Sequence, residues 1–187
     1  MPQDYEIVEN VLKGEIEMYE LLMIKYEDLI KSIVYGMVYN EEVTKDITQE
    51  IFLKVYKKLK QYDSGYSFKS WLTRLAKNHT IDYLRKTKYN TSLDEVNPSN
   101  FSYADEDLTL KEEMKLQLEK AMLKLDEENR MLLYLKYHEN YSNTELSDIM
   151  NIPMKNIRLK VFRAKERLKK ILEGDDYFKS YGEVENG

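Results

Sequence analysis

Apolar residues recur every three or four positions along most of this chain, and that spacing predicts amphipathic α-helices rather than strands. The patterned segments are residues 5–12, 16–38, 43–59, 68–85, 143–150 and 152–172. Gly14 separates the first two segments, and Thr44 and Ser67 are predicted to cap the third and fourth helices. The pattern therefore predicts a protein that is nearly all helix.

One long break divides this helical pattern. Residues 88–109 contain one proline, many Asn, Ser and Asp residues, and no helical stripe. A connection of roughly twenty structureless residues is longer than compact domains normally contain. We therefore predict an all-α fold of two small helical domains joined by a flexible linker. The predicted divisions are a first domain at residues 1–90, a linker at 91–109, a second domain at 110–172 and a frayed acidic tail at 173–187.

The composition excludes several classes of protein. None of the 187 residues is cysteine, so disulfides and thiolate zinc sites are excluded. Charged residues interrupt every apolar run before the ~20 residues that a membrane span needs, and the N-terminus lacks the pattern of a signal peptide. We expect a cytoplasmic protein that does not insert into a membrane by itself and that uses no metal or cofactor.

The distribution of charge along the chain points to phosphate-rich partners. The net charge is −5, yet residues 51–90 hold ten basic and two acidic residues, a net charge of +8. Residues 151–172 hold eight basic residues and one acidic residue, a net charge of +7. Because charges act mainly within about 10 Å, each basic segment is predicted to face phosphates, with a solvated helix face as the alternative.

The second basic segment has the pattern of a helix-turn-helix. Residues 143–150 (NTELSDIM) form a short helical pattern, a turn is predicted at Asn151, and a basic helix follows. In such a motif the second helix enters the major groove of DNA. The pattern therefore predicts DNA binding.

The first basic segment combines cations with aromatic and amide groups. Opposite its apolar stripe, the helix over residues 68–85 carries a polar face formed by Lys69, Arg74, Lys77, Asn78, Asp82 and Arg85. The loop before it offers Tyr62, Asp63, Ser64 and Tyr66. Such a combination suits an unstacked base and its neighbouring phosphates.

The order of residues in this segment resembles the second conserved region of bacterial sigma factors. Three runs carry the resemblance: D-x-x-Q-E-x-F-x-x-x-Y at 46–56, S-F-x-x-W-L-x-R-x-A-x-N at 67–78, and D-Y-L-R at 82–85. The C-terminal segment up to residue 172 resembles the fourth region. The direct junction of the two regions resembles the extracytoplasmic-function (ECF) group, and the resemblance spans residues 12–172.

The resemblance implies three binding surfaces and a sigma factor that directs promoter-specific initiation. Core RNA polymerase would be bound by Asp46, Gln49, Glu50, Lys54 and Lys57. The minus-ten element of promoter DNA would be bound and opened by Tyr62, Asp63, Ser64, Lys69, Arg74, Lys77, Asn78 and Arg85. The minus-thirty-five element would be read by Lys155, Asn156, Arg158, Lys160, Arg163 and Lys165. An anti-sigma factor is a further partner that the resemblance implies.

The chain departs from the family pattern around the turn of the helix-turn-helix. Ser147 stands where the family usually has Ala, and Asn151 where it has Gly. Asn follows Gly in its tolerance of a left-handed turn, so we expect the geometry to survive. Asn156-Ile157 stands where the recognition helix often begins with Thr-Val. These changes affect individual contacts rather than the fold.

Three other functions are weaker interpretations of the sequence. A DNA-binding regulator that never engages polymerase explains the helix-turn-helix but not the pattern at 46–85. An enzyme is suggested only by His79 with Asp82, or Asp46 with Glu50, whose spacings suit a metal pair; no nucleophile–base set or phosphate loop accompanies them. An adaptor of amphipathic helices does not explain the segregated charge. Co-purification with core polymerase would discriminate among these.

Overall fold

The computed structural model describes residues 2–91 and 109–174. Within them the chain forms α-helices and no strand, which confirms the predicted all-α fold. The helices are α1 (Asp4–Leu12), α2 (Tyr19–Val38), α3 (Glu41–Lys58), α4 (Phe68–Thr91), α5 (Leu110–Leu123), α6 (Glu127–Leu133), α7 (Asn143–Met150) and α8 (Met154–Glu173). Short 3₁₀ turns lie at Ile16–Met18 and Leu59–Gln61, and a π-helical turn at Tyr134–His138 follows α6. Most of the predicted linker (92–108) and acidic tail (175–187) lie outside the described residues.

Two helix ends differ from the prediction. Asn40, not Thr44, caps α3, because the Asn40 side chain accepts a hydrogen bond from the Val43 backbone N–H at 2.9 Å. Thr44 lies one turn inside the helix and donates its hydroxyl proton to the Asn40 carbonyl. α4 continues past the predicted end to Thr91. The predicted cap of α4 is confirmed, since Ser67 Oγ accepts from the Ser70 backbone N–H at 3.4 Å.

Helices α1 to α4 enclose the first apolar core. Ile30 and Val34 of α2 pack there with Ile51 of α3 and Leu72 of α4, and all four are fully or almost fully buried. Burial of one such side chain stabilises the fold by ~1.5–3 kcal/mol relative to leaving it exposed. The core fixes α3 beside α4 and leaves the polar face of α3 at the surface.

Helices α5 to α8 enclose a second core, and this core extends into the first half of the chain. Leu146 of α7 and Ile157 of α8 lie in the same buried cluster as Ile33 and Met37 of α2 and Ile81 of α4. The two halves therefore pack against each other: α4 lies on α6 and α7, and α2 lies on α6 and the π-helical turn. The sequence pattern indicated the two halves but not this packing.

Polar contacts and a close backbone approach complete the packing at the end of α2. The buried guanidinium of Arg130 donates to the carbonyl of Met37, in the last turn of α2, where the helix leaves carbonyls without a backbone partner. The Ser32 hydroxyl lies 3.0 Å from the hydroxyl of Tyr134. Gly36 lies directly under the Tyr134 ring, and a Cβ atom at Gly36 would overlap that ring. The interface therefore requires a residue without a side chain at this position.

Candidate polymerase and DNA interfaces

Helices α7 and α8 form the predicted helix-turn-helix. Asn151 joins them in the left-handed conformation (φ 54°, ψ 48°), as expected for Asn in place of Gly. Ser147 stabilises the same turn, because its hydroxyl donates to the Ile152 carbonyl at 2.6 Å. Ile157 and Ala164 of α8 are fully buried in the core that holds α7. The two departures from the family pattern therefore preserve the turn.

The polar side of α8 faces solvent. Lys155, Asn156, Arg158, Arg163 and Lys165 are exposed, and Lys160 is half-buried. Within the described residues, the ion pairs of α8 use other side chains: Arg167 with Asp126 at 3.1 Å and Lys169 with Glu173 at 3.5 Å. The predicted DNA-reading cations therefore remain available for phosphates and base edges.

Two apolar side chains on the same helix were missed by the sequence analysis. Leu159 is 49% exposed and Phe162 is 59% exposed, and both lie among the cations of α8. The buried stripe of α8 contains Ile157, Val161 and Ala164, and the helical spacing places Leu159 and Phe162 outside it. This position outside the stripe is the sequence signal that could have identified them as exposed. In a major groove, exposed apolar side chains can contact thymine methyl groups.

The predicted polymerase-binding residues share one face of α3. Asp46, Gln49, Glu50 and Lys57 are exposed, whereas Lys54 is half-buried. Leu53 lies on the same face and is 64% exposed, although it was not predicted as a site residue. We call this set of six residues the docking face.

The loop between α3 and α4 has an ordered shape. The Asp63 carboxylate accepts a hydrogen bond from the Gly65 backbone N–H at 2.9 Å, which makes an Asx turn, and Ser64 is exposed at its tip. Tyr62 is half-buried: its ring packs on Phe68 and Trp71, with ring centroids 5.2 and 5.5 Å away. Tyr62 therefore anchors the loop to the aromatic residues at the start of α4.

Most of the predicted cationic face of α4 contacts the second half of the chain. The Lys69 ammonium lies 4.6 Å from the centre of the Tyr141 ring, and the Arg74 guanidinium donates to the carbonyl of Asp148. Lys77 is only 7% exposed, and burial lowers its pKa below the ordinary lysine value. All three cations contact the helix-turn-helix half: Lys77 is buried and Lys69 is half-buried, whereas Arg74 also remains exposed to solvent.

The remaining predicted residues of α4 are at the surface. The Asn78 side chain is exposed and free to present its amide. Arg85 is also exposed and lies 3.5 Å from the Glu128 carboxylate of α6. The predicted minus-ten surface is thus divided into an open part, at the loop and Asn78, and a part that contacts the second half and is partly covered by it.

Comparison with known proteins identifies the family. The model of Sigma-70 region 2 matches residues 22–89, and the model of Sigma-70 region 4 matches residues 115–168. The ECF RNA polymerase sigma factor SigW of Bacillus subtilis is 30% identical over 176 residues, which cover 88% of this chain and 94% of that protein. The chain belongs to the ECF family of RNA polymerase sigma factors.

Two solved structures have a similar fold over most of this chain. CnrH, in complex with the cytosolic domain of CnrY, has a TM-score of 0.69 at 18% identity over 92% of this chain and 99% of CnrH. RpoE of Bartonella quintana, in complex with the anti-sigma factor NepR, has a TM-score of 0.62 at 18% identity over 84% of this chain and 98% of RpoE. At this level of identity the likeness concerns the fold.

Neither a metal site nor a membrane span is found in the part of this ECF sigma factor that the structure describes. No group of three or more His, Cys, Asp or Glu residues there could hold a metal ion, and no helix there is long and apolar enough to cross a membrane. His79, one half of a possible metal pair in the sequence, contacts Glu50 at 2.8 Å.

Proposed function

We propose that this ECF sigma factor acts through three surfaces: the docking face of α3 for core RNA polymerase, the loop at residues 62–67 with α4 for the minus-ten element, and α8 for the minus-thirty-five element. The observation that carries the proposal is the presence on one chain of an exposed polar face on α3 and a helix-turn-helix whose cations face solvent. No catalytic group is required for this function, and we expect the chain to act by binding, in the cytoplasm where the polymerase lies.

The docking face has the composition of a protein-binding surface. Leu53 supplies an exposed apolar centre, and Asp46, Gln49, Glu50 and Lys57 surround it with charge and amide groups. An apolar centre within a polar rim is the usual arrangement of a protein interface. Mixed charges would fix the register on polymerase, while burial of Leu53 would add affinity.

The loop and the open part of α4 suit single-stranded promoter DNA. The Asx turn at Asp63 presents the Ser64 side chain and the exposed ring of Tyr66, and an exposed aromatic ring can stack on an unpaired base. Asn78 can both donate to and accept from a base edge. Because the Tyr62 ring packs on Phe68 and Trp71, we assign it a supporting role and Tyr66 the stacking role.

The exposed side of α8 suits duplex DNA. We propose that Arg158 reads a base edge, and that Lys155, Arg163 and Lys165 mainly hold phosphates. Leu159 and Phe162 would add apolar contacts, which favour thymine. Lys160 is half-buried and would contribute less.

The covered part of the minus-ten surface implies a regulated state. Lys69 and Lys77 are partly or fully covered, and the exposed Arg74 donates to the Asp148 carbonyl, so the three cations can hold DNA phosphates together only after the helix-turn-helix half moves away from α4. We propose that core polymerase, which binds the docking face, stabilises the separated arrangement. An anti-sigma factor is the expected partner that would keep the two halves from reaching polymerase and DNA.

Run-off transcription with core polymerase and a genomic promoter library tests the proposal. The chain should start transcripts at a defined subset of promoters, and Asp46→Ala with Lys57→Ala should abolish them without unfolding the protein. Arg158→Ala should change which promoters are used while core binding is retained. Absence of any transcript above core polymerase alone would overturn the proposal. A regulator that never engages polymerase would bind DNA but fail to co-purify with core polymerase.

A further inference from the structure

A histidine on α4 contacts two charged side chains of the docking face on α3. His79 Nε2 lies 2.8 Å from Glu50 Oε2, and His79 Nδ1 lies 3.4 Å from Lys54 Nζ. The His79 side chain is 19% exposed, so the ring is held between the two helices rather than free in solvent. The three side chains form a continuous row across the α3–α4 groove.

The chemistry of Glu50 and Lys54 determines which imidazole nitrogen of His79 donates a hydrogen bond and which one accepts. A lysine ammonium can only donate and an ionised carboxylate can only accept. Both contacts are therefore hydrogen bonds when the imidazole is neutral with its proton on Nε2: Nε2–H donates to Glu50, and Nδ1 accepts from Lys54. One neutral ring satisfies an anion and a cation at once.

The ring also replaces a contact that the sequence favours. Glu50 and Lys54 have the spacing and order that let a glutamate pair with a lysine one helical turn later. Within the described residues, however, Glu50 pairs with His79 and not with Lys54. His79 thus keeps the carboxylate and the ammonium apart, each in a defined position at the surface.

We propose that His79 is a positioning residue for polymerase docking: it holds Glu50 and Lys54 separate and preorganised on the docking face. Side chains that are already immobilised lose less entropy when a partner binds, so preorganisation raises affinity without adding a contact. His79 also follows Asn78, the proposed base-contacting residue, so the same turn of α4 supports both surfaces. This inference rests on the proposed function of the docking face.

Titration of the full chain with core polymerase tests the inference. His79→Leu keeps an apolar body between the helices but removes both hydrogen bonds, and we expect the dissociation constant to rise about tenfold. His79→Gln carries one donor and one acceptor, so it should bind within about twofold of the original chain. Lys86→Leu, an exposed position two turns further along α4, is the matched control and should change affinity little.

A combined variant separates positioning from a merely structural role. In a chain that already carries Glu50→Ala and Lys54→Ala, His79→Leu should cause no further loss of affinity, because nothing is left to position. An undiminished loss in that background, unchanged affinity in His79→Leu, or failure of His79→Gln to restore binding would overturn the inference. If Asp46→Ala with Lys57→Ala leaves polymerase affinity unchanged, the docking face itself is wrong, and that result is distinguishable from a failure of His79 alone.

Discussion

The two basic segments of this chain carry almost the same charge but have opposite surroundings. Residues 151–172 form most of α8, whose cations are largely exposed. In the 51–90 segment, by contrast, Lys69, Arg74 and Lys77 contact the other half of the chain, and of the three only Arg74 is exposed. A cluster of basic residues in the sequence therefore indicates that a segment can bind phosphates. Whether those side chains are exposed enough to do so depends on how the helices pack. In the free chain we expect α8 to be ready for duplex DNA and the minus-ten surface to be largely closed.

Opening the contact between the halves should have the largest effect. Gly36→Ala favours helix by ~1 kcal/mol, yet its methyl group would overlap the Tyr134 ring. Overpacking of this kind costs ~1–3 kcal/mol, so we expect α2 to persist and the halves to separate. Affinity of the free chain for a single-stranded minus-ten oligonucleotide, measured by fluorescence anisotropy, should rise about 30-fold.

The control for the Gly36→Ala experiment removes the Tyr134 ring. In a chain with Tyr134→Ala, adding Gly36→Ala should change the oligonucleotide affinity by less than about twofold, since the overlap no longer exists. A folded Gly36→Ala chain with unchanged affinity would show that the closed contact does not limit access to α4.

The second prediction assigns the two surfaces to the two promoter elements. Arg158→Ala should cost ~1–3 kcal/mol of discrimination at one upstream position while strand opening stays intact. Asn78→Ala should alter preference in the downstream element or reduce the yield of open complex, with upstream preference unchanged. Selection from randomised promoters with permanganate footprinting measures both. If Arg158→Ala changed only downstream preference, the assignment of α8 to the minus-thirty-five element would be wrong.

A smaller change should loosen the interface without adding bulk. The Tyr141 and Thr73 hydroxyls lie 2.7 Å apart, and both residues are buried. Tyr141→Phe leaves the Thr73 hydroxyl without its partner, at a cost of ~1–3 kcal/mol. Single-stranded DNA binding by the free chain should then rise about tenfold, whereas holoenzyme transcription should change little. Equal loss of both activities would indicate damage to the core instead.

The smallest expected effect concerns the stability of the helix-turn-helix itself. Ser142 caps α7, and its hydrogen bonds lower the pKa of Glu145 from the ordinary value of 4.5. Ser142→Ala should lower the free energy of unfolding by ~1 kcal/mol at neutral pH.

Acidic pH should reduce the difference in the free energy of unfolding between the original chain and Ser142→Ala. Because the folded pKa of Glu145 lies below its unfolded value, the stabilisation is complete above about pH 4.5 and is lost as the pH falls through the folded pKa. Urea unfolding at pH 7 and pH 3 tests this prediction. A larger difference in the free energy of unfolding between the original chain and Ser142→Ala at pH 3 than at pH 7 would contradict it.

The sequence predicted what depends on local spacing. Helical periods located α3 and α8, and Asn151 in place of Gly still marked the turn of the helix-turn-helix. The cap of α3 was wrong because Tyr39 adopts a left-handed conformation at the end of α2, which places Asn40 at the start of the next helix. Local propensity does not reveal such a choice between neighbouring polar residues.

What depends on contacts between distant residues could not be predicted. Ile81 and Met37 fit the helical period equally well whether they bury against their own half or the other one, so the shared core left no sequence signal. Lys77 lies on the polar face of α4 by spacing, yet its environment depends on α6 and α7. Leu159 and Phe162, by contrast, lay off the buried stripe and were detectable from spacing alone.

One measurement tests directly whether the minus-ten surface is closed in the free chain and open on polymerase. The chain contains no cysteine, so Lys86→Cys on α4 and Thr144→Cys on α7 would be its only thiols, and both positions are exposed. Spin labels on these two cysteines report the distance between the two halves by pulsed electron paramagnetic resonance. Run-off transcription would confirm that the labelled chain is active. We predict one narrow distance distribution in the free chain and a clearly longer distance after core polymerase is added. The same distance in both states, or a broad distribution in the free chain, would contradict the closed arrangement.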